Sequence, residues 1–186
     1  MIKEPLLSIV CITYSHARFI RDALDGFVMQ KTNFPFEILI NDDASTDGTA
    51  DIIRERYKTR DLLKAKVYDG VYDVMDTLQK RGVKQAIATM KRQDYATEIC
   101  EHFGFDKYCF PIVGADNENK LTKADLIRKC LQTLNVSDLS SAVMIGDTNG
   151  DKTAAETVGI HFIGVNYGFG FKDGKLNQIA EIVKLF

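Results

Sequence analysis

Short apolar runs alternate with amphipathic segments along most of the chain, and this pattern predicts strands separated by helices. Six runs have the length of buried strands: residues 7–13, 37–41, 85–89, 108–113, 142–145 and 161–165. Five segments carry apolar residues at helical spacing: residues 19–30, 71–81, 94–103, 124–134 and 152–158. Such alternation is typical of βαβ units with parallel strands and right-handed crossovers. We therefore expect an α/β fold, a Rossmann-like parallel sheet flanked by helices.

One segment interrupts this alternation. From Ala50 to Tyr68 the chain is charged and helix-prone, and it contains no strand candidate. A joint between two units would fit this position, and a solvated surface helix is the plainer alternative. The whole chain of 186 residues is long enough for one domain with a sizeable core, or for a core with a small appendage.

The clearest candidate chemistry follows the fifth apolar run. Asp147 comes directly after that strand, and ligands of parallel sheets bind just beyond the carboxyl ends of the strands. If a helix begins after Gly150, Asp151 lies on its first turn and both carboxylates can face one point. Two hard oxygen donors suit Mg²⁺, which completes its shell with water and substrate phosphate. The alternative is that Asp147 only ends a strand and Asp151 caps a helix.

Composition excludes several classes of function. The net charge is −2 and no basic cluster is evident, so we expect no nucleic-acid partner. No apolar run approaches the ~20 residues that span a bilayer, and the N-terminus lacks a signal-peptide pattern. We expect a soluble cytoplasmic protein with no membrane partner, whose oligomeric state stays open. The four cysteines lack metal-ligand spacing and are expected to be core thiols: Cys11, Cys100, Cys109 and Cys130.

The larger, C-terminal part of the chain resembles a known family. Five motifs occur in that family's order and spacing: residues 68–71, 85–89, 123–127, 146–151 and 164–170. On these motifs, residues 55–186 resemble the haloacid dehalogenase (HAD) superfamily, especially its phosphatases of the phosphoglycolate phosphatase type. The resemblance implies a HAD-like core with a reduced or absent cap, since only residues 50–66 remain where a cap would stand.

The resemblance also implies a role for each matched residue. Thr89 would donate a hydrogen bond to a phosphoryl oxygen, and Lys123 would neutralise the phosphate and the attacking carboxylate. Asp147 and Asp151 would hold Mg²⁺, and the substrate would be a small phosphorylated molecule. The plainer alternative for Thr89 is a hydroxyl that only ends a strand. Lys120 could reach the site instead of Lys123, and either lysine could simply be solvated at the surface.

One part of the family's machinery has no counterpart after Tyr57. The family places an aspartate nucleophile at the end of its first strand, in the pattern Asp-x-Asp-Gly-Thr. No such motif occurs between Tyr57 and the C-terminus. A nucleophile must therefore come from the N-terminal segment, or the chain has none.

The N-terminal segment resembles a different family. Residues 7–16, 20–30 and 36–49 are similar to the opening βαβ unit of a family-2 glycosyltransferase, and the resemblance covers about residues 1–54. It implies that Thr13 and the turn containing Asp42 and Asp43 hold the nucleoside of a sugar nucleotide. The second strand pair, the metal-binding Asp-x-Asp and the carboxylate base of those enzymes do not follow, so we do not expect sugar transfer.

The two resemblances together predict a hybrid of residues 1–54 and 55–186, with one merged α/β sheet as an open alternative. In a merged sheet, the strand at residues 37–41 takes the vacant central position and Asp42 or Asp43 becomes the nucleophile. In the register set by Asp47, that residue supplies the acid–base group, but Ser45 then stands in the nucleophile's position. No register supplies both carboxylates.

The absence of an acid–base carboxylate beside the nucleophile lowers the activity that we expect. General acid–base assistance is worth about 10²–10⁴-fold. The sequence therefore predicts a Mg²⁺-dependent phosphomonoester phosphatase-like protein of weak activity. A nucleotide or sugar-nucleotide binding module that uses Thr13, Asp42 and Asp43, or an inert hybrid, are the alternatives.

Overall fold

A computed structural model describes residues 5–118, 120–168, 171 and 173–186, and of residues 60 and 61 it describes the backbone only. The chain forms two compact units, Met1–Ala65 (unit 1) and Lys66–Phe186 (unit 2). The division predicted between residues 54 and 55 separates segments that resemble two different families, and it stays a prediction. Residues 1–4 of the predicted N-terminal segment lie outside the described residues.

Unit 1 is built on a two-stranded parallel sheet. Its elements are β1 (Leu7–Thr13), α1 (Ile20–Val28), β2 (Phe36–Asp42), α2 (Thr49–Arg56) and a π-helical turn (Tyr57–Asp61). The strands pair in continuous register from Leu7 opposite Phe36 to Thr13 opposite Asp42. This register brings the two strands to an end together, so the loops after β1 and β2 start side by side. The charged segment without a strand candidate is helical up to Asp61, as its composition predicts.

The described residues of unit 2 form two further pairs of parallel strands and four longer helices. The paired strands are β3 (Ile87–Arg92) with β4 (Ile112–Ala115), and β5 (Val143–Gly146) with β6 (His161–Gly164). The helices are α3 (Val71–Lys80), α4 (Gln93–His102), α5 (Lys123–Thr133) and α6 (Asn149–Val158). Short 3₁₀ turns lie at Phe105–Lys107, Leu139–Ser141 and Ile179–Leu185. The chain is thus α/β with parallel strands flanked by helices, and the predicted fold class is confirmed.

Two apolar clusters hold unit 2 together. The first, called the α3 cluster, joins α3 to the segments after β6: Val74, Leu78, Val165, Leu176 and Ile182. The second, called the α5–α6 cluster, is formed by Ala124, Ile127 and Ala154, with Ala88 and Met144 packed against it. The α5–α6 cluster therefore packs α5 and α6 against residues of β3 and β5.

The third and fourth strands differ most from their predicted bounds. Strand β4 begins at Ile112 instead of residue 108, and β3 begins at Ile87 instead of residue 85. The segments already run side by side there, because Phe110 N donates to Gln85 O (2.8 Å) and Ile87 N to Pro111 O (3.0 Å). Pro111 has no N–H to donate, so a regular ladder starts only after it.

No helix within the described residues has both the length and the apolar character that crossing a membrane requires.

Candidate active site

The turn between β5 and α6 is organised by Asp151. Thr148 is the N-cap of α6, and its hydroxyl accepts from Asp151 N (3.2 Å) while the Asp151 carboxylate accepts from Thr148 N (3.2 Å). The same carboxylate oxygen accepts from Thr148 Oγ1 at 2.8 Å and from Asp147 N at 3.3 Å. This capping box starts α6 at Asn149, earlier than the predicted Lys152. Asp147 is thus held between the end of β5 and the first turn of α6.

Lys123 joins this turn from the neighbouring helix. It is the first residue of α5, directly after the N-cap Thr122. Its Nζ lies 2.9 Å from Asp151 Oδ1, and the side chains of Lys123 and Asp151 are 21% and 8% exposed. Lys120, the alternative lysine, forms an exposed ion pair with Glu118. Lys123 is therefore the lysine that contacts the predicted site.

The charge of Asp151 is maintained although the residue is buried. Burial by itself raises the pKa of this carboxyl, but hydrogen bonds from Lys123 and Thr148 and the positive charge of Lys123 outweigh it, so the pKa lies below its usual value. Both carboxylate oxygens are used by protein donors. Oδ2 accepts from three protein donors and Oδ1 from Lys123, so a metal ion at Oδ1 would share that oxygen with the lysine.

Two glycines permit the close packing around the carboxylates. A Cβ atom on Gly146 would lie 2.5 Å from Asp151 Cβ and 2.7 Å from its Cγ. A Cβ atom on Gly168 would overlap the side chain of half-buried Asp147. The loop after β6 therefore lies directly against the Asp147 carboxylate. Neither glycine was singled out for this role from the sequence, because the contacts join segments that are distant along the chain.

An aromatic pair adjoins Asp147. The rings of Tyr68 and Tyr167 meet edge to face, with centroids 5.5 Å apart and an interplanar angle of 66°. Burial raises the pKa of Tyr167 to about 12, with smaller contributions from Tyr68, Asp147 and Glu181. Both tyrosines lie in motifs that the sequence indicated, but no role was predicted for either. Residues 169 and 170 of the last motif lie outside the described residues.

Thr89 does not stand at the end of its strand. Strand β3 continues to Arg92, although its regular pairing with β4 is interrupted between Ala88 and Arg92. The Thr89 hydroxyl accepts a hydrogen bond from Lys91 N (3.3 Å) within this irregular stretch. Ala88 packs on the α5–α6 cluster, which puts Thr89 one residue away from that cluster. The predicted strand end is corrected to an irregular position inside β3.

The predicted residues of unit 1 lie where β1 and β2 end. Buried Thr13 contacts His16 Nδ1 through its hydroxyl (3.0 Å), and its carbonyl accepts from Asp43 N (2.9 Å). Asp42 accepts from Ser45 N (3.0 Å) on one carboxylate oxygen and from Ser45 Oγ (2.5 Å) on the other. Asp43 is exposed. Of the two adjacent carboxylates, Asp42 organises the turn and Asp43 faces solvent.

Asp47 ties the same turn to the loop after β1. Its carboxylate accepts from Thr49 Oγ1 (2.5 Å) and from Ala17 N (3.0 Å). These hydrogen bonds, that of Thr49 first, hold the pKa of Asp47 below its usual value. Thr49 is fully buried, and its hydroxyl also accepts from His16 N (2.8 Å). The carboxylate considered as an acid–base group is thus engaged in holding two loops together.

The donor set determines which metal the site of unit 2 could hold. In the described part of the chain, no group of three or more His, Cys, Asp or Glu side chains is arranged to hold a metal ion. Mg²⁺ often binds through one or two carboxylates and keeps several waters. Asp147 meets this requirement as a carboxylate directly after the end of a parallel strand, and Asp151 lies beside it with its carboxylate bonded to Lys123 and Thr148. The two carboxylates therefore fit Mg²⁺ as candidate ligands.

Comparison with known proteins defines the family. The profile of the haloacid dehalogenase-like hydrolase family matches residues 16–165, which is most of the chain. The chain therefore belongs to the haloacid dehalogenase-like hydrolase family. The match begins before β2 and includes the turn with Asp42 and Asp43. The resemblance predicted from the motifs is confirmed at the level of the family, and the phosphoglycolate phosphatase type stays a prediction.

Individual relatives cover the chain to different extents. A 5′-nucleotidase of Pseudomonas aeruginosa is 36% identical over 121 residues, which are 64% of this chain and 54% of that protein. An uncharacterized protein of Mycobacterium tuberculosis is 57% identical over 49 residues, which are 26% of this chain and 14% of that protein. The chain thus spans about half the length, or less, of these curated relatives.

A solved structure is similar over nearly the full length. A predicted phosphatase from Clostridium acetobutylicum superimposes with a TM-score of 0.69 and 25% sequence identity, covering 98% of both chains.

The buried ion pair makes stability depend on pH. The pKa of Asp151 is lower in the folded chain than its ordinary value, so its contacts stabilise the fold above about pH 4 and are lost as the pH falls through the folded-state pKa. We expect Asp151→Asn to lower the free energy of unfolding at neutral pH by about 2–4 kcal/mol. Urea denaturation should show this difference from the wild type shrinking toward pH 3.

A suitable control is Asp106→Asn, which changes an exposed carboxylate in the same unit. A destabilisation of Asp151→Asn that is equal at all pH values would contradict the role given to its charge.

Proposed function

We propose that this chain is a Mg²⁺-dependent phosphomonoester phosphatase of weak activity that acts on small phosphorylated substrates. The observation that carries the proposal is the contact between Lys123 and Asp151, because the Asp151 carboxylate thereby holds both a lysine and the backbone N–H of Asp147 beyond the end of β5. A cation and a metal-binding carboxylate in such a position suit a phosphoryl group, because catalysis of its transfer relies on positioning and charge stabilisation.

Lys123 and Thr89 are the proposed phosphate ligands. An ammonium group has three donors, and the ion pair with Asp151 uses one of them, so Lys123 can also donate to a phosphoryl oxygen. The Thr89 hydroxyl accepts from Lys91 N and can itself donate to a second oxygen. Both contacts would stabilise charge on the transferred group.

Asp147 is the proposed direct ligand of Mg²⁺. When bound, Mg²⁺ would screen the repulsion between the phosphate and an attacking carboxylate. Asp151 serves as a positioning residue, because its carboxylate holds the backbone at Asp147 and the Lys123 ammonium at the same time.

The proposed nucleophile belongs to unit 1. Both oxygens of Asp42 are engaged by Ser45, whereas Asp43 is exposed, and this difference favours Asp43 as the attacking carboxylate. Neither aspartate is followed two residues later by a carboxylate that could act as a general acid. Since such assistance is worth about 10²–10⁴-fold, we expect slow turnover.

The similarity to a 5′-nucleotidase and to a predicted phosphatase supports a phosphate ester as the substrate. Because the chain spans about half of the nucleotidase, the identity of that ester is itself part of the proposal.

Hydrolysis of para-nitrophenyl phosphate tests the proposal. Wild type, Asp42→Asn, Asp43→Asn and Asp147→Asn are each assayed with Mg²⁺ and with a chelator. We expect slow, Mg²⁺-dependent release of nitrophenol by wild type and by Asp42→Asn, and a loss of at least about 10²-fold in the other two variants, since loss of nucleophile or metal removes the route.

Asp106→Asn, which alters an exposed carboxylate outside the site, is the matched control and should keep wild-type activity. Turnover that persists in Asp147→Asn, or in the presence of chelator, would refute the metal site. Full activity of Asp43→Asn together with an inactive Asp42→Asn would move the nucleophile to Asp42.

A second candidate function is the binding of a nucleotide or sugar nucleotide by unit 1, whose sequence resembles the opening of family-2 glycosyltransferases. The observation that favours it is the position of Thr13, the last residue of β1, and of exposed Asp43, directly after β2, at the carboxyl ends of two adjacent parallel strands, where such sheets bind ligands. The hydrogen bond between Asp43 N and Thr13 O fixes the backbone of this turn.

A thermal-shift screen with uridine nucleotides tests the second candidate. A ligand that binds only the folded state raises the midpoint, by an amount that grows with its concentration. We expect a shift in wild type that disappears in Asp43→Ala and persists in Asp51→Ala, a change at an exposed carboxylate of α2. Equal shifts in both variants would exclude Asp43 as a ligand-binding residue, and an inert hybrid would show neither a shift nor turnover.

A further inference from the structure

Two tyrosines of unit 2 adjoin Asp147 and have no part in the proposed hydrolysis. Tyr167 directly precedes Gly168, whose backbone lies against the Asp147 side chain. Tyr68 enters from the segment before α3 and meets the ring of Tyr167 edge to face at 5.5 Å. The pair therefore stands beside the carboxylate that is proposed to hold Mg²⁺.

The two rings differ in how they are held. Tyr167 packs against the α3 cluster, so its position is fixed by the core of unit 2. Tyr68 is 43% exposed, and Tyr167 contacts one side of its ring. Gly70, two residues after Tyr68, has a φ of +85° and turns the chain into α3, and Val71 N donates to Tyr68 O, which fixes the Tyr68 backbone at the start of the helix. The result is an anchored ring that supports a solvent-facing ring.

A supported, exposed ring is suited to stacking. Aromatic faces bind other flat rings in offset or edge-to-face arrangements, and the supporting tyrosine reduces the freedom that Tyr68 would lose on binding. An aliphatic group would gain less from the same surface, because it has no flat face to stack.

We infer that Tyr68 and Tyr167 form an aromatic platform that binds the planar leaving group of a phosphate monoester. The substrate class is then an ester of an aromatic alcohol or of a nucleoside, in preference to an aliphatic phosphate. This inference rests on the proposed function, since it takes the phosphoryl group to lie at Asp147 and Lys123.

Binding of unreactive phosphonates tests the platform without requiring turnover. Calorimetry with Mg²⁺ compares phenylphosphonate with propylphosphonate for wild type, Tyr68→Ala and Tyr68→Phe. We expect wild type to prefer the phenyl compound, Tyr68→Phe to retain that preference, and Tyr68→Ala to weaken phenylphosphonate binding by about tenfold, the effect of one lost stacking contact. Propylphosphonate binding should be unchanged in all three proteins.

Tyr72→Ala is the matched control, because Tyr72 is similarly exposed (41%) and belongs to the same unit, but its ring lies beside Phe105. Equal affinity of wild type for the two phosphonates, or a loss in Tyr72→Ala as large as that in Tyr68→Ala, would overturn the inference.

Kinetics then identify the source of the planar group. We expect Tyr68→Ala to lower kcat/KM about tenfold for para-nitrophenyl phosphate or for a nucleoside monophosphate, and to leave glycerol phosphate unaffected. Of the two aromatic substrates, the one whose kcat/KM falls more in Tyr68→Ala is the one that the platform binds. An equal loss for all three substrates would overturn the inference, whereas no turnover of any substrate would refute the proposed function and leave the phosphonate comparison to decide the platform.

Discussion

The ion pair between Lys123 and Asp151 is the contact on which the candidate site depends. It joins the first turns of α5 and α6, and the second oxygen of the same carboxylate holds the backbone at Asp147 and Thr148. A buried ion pair is costly to desolvate, and only additional hydrogen bonds offset that cost. Asp151 has those bonds in the capping box of α6, which explains how a charged pair is accommodated at the edge of an apolar cluster.

The two units use their aspartates in a similar way. In unit 1 the carboxylates of Asp42 and Asp47 accept hydrogen bonds from donors of the turn itself, and the neighbouring Asp43 is exposed. In unit 2 Asp151 organises the turn, and Asp147 is the carboxylate that lies beyond the strand. In each turn, hydrogen-bonded carboxylates thus fix the backbone beside the candidate ligand-binding aspartate, Asp43 in unit 1 and Asp147 in unit 2.

The sequence predicted the strands, the helices and the family well, because apolar runs and motifs are local features. The bounds of β4 were harder to predict, since Pro111 removes a ladder donor within an otherwise strand-like run. The pairing of Asp147 and Asp151 at one turn followed from their spacing. The ion pair of Asp151, by contrast, depends on Lys123, and the surroundings of Asp147 depend on Gly168. Such contacts join distant segments, and no local pattern in one sequence reveals them.

The most direct test of this account is a double-mutant cycle on the ion pair, with Lys123→Met, Asp151→Asn and the combined variant compared by urea denaturation at neutral pH. If the pair organises the site, the two changes are strongly coupled, by about 1–3 kcal/mol. Effects that add within about 0.5 kcal/mol would show that Lys123 and Asp151 act independently, and would contradict the central role given to their contact.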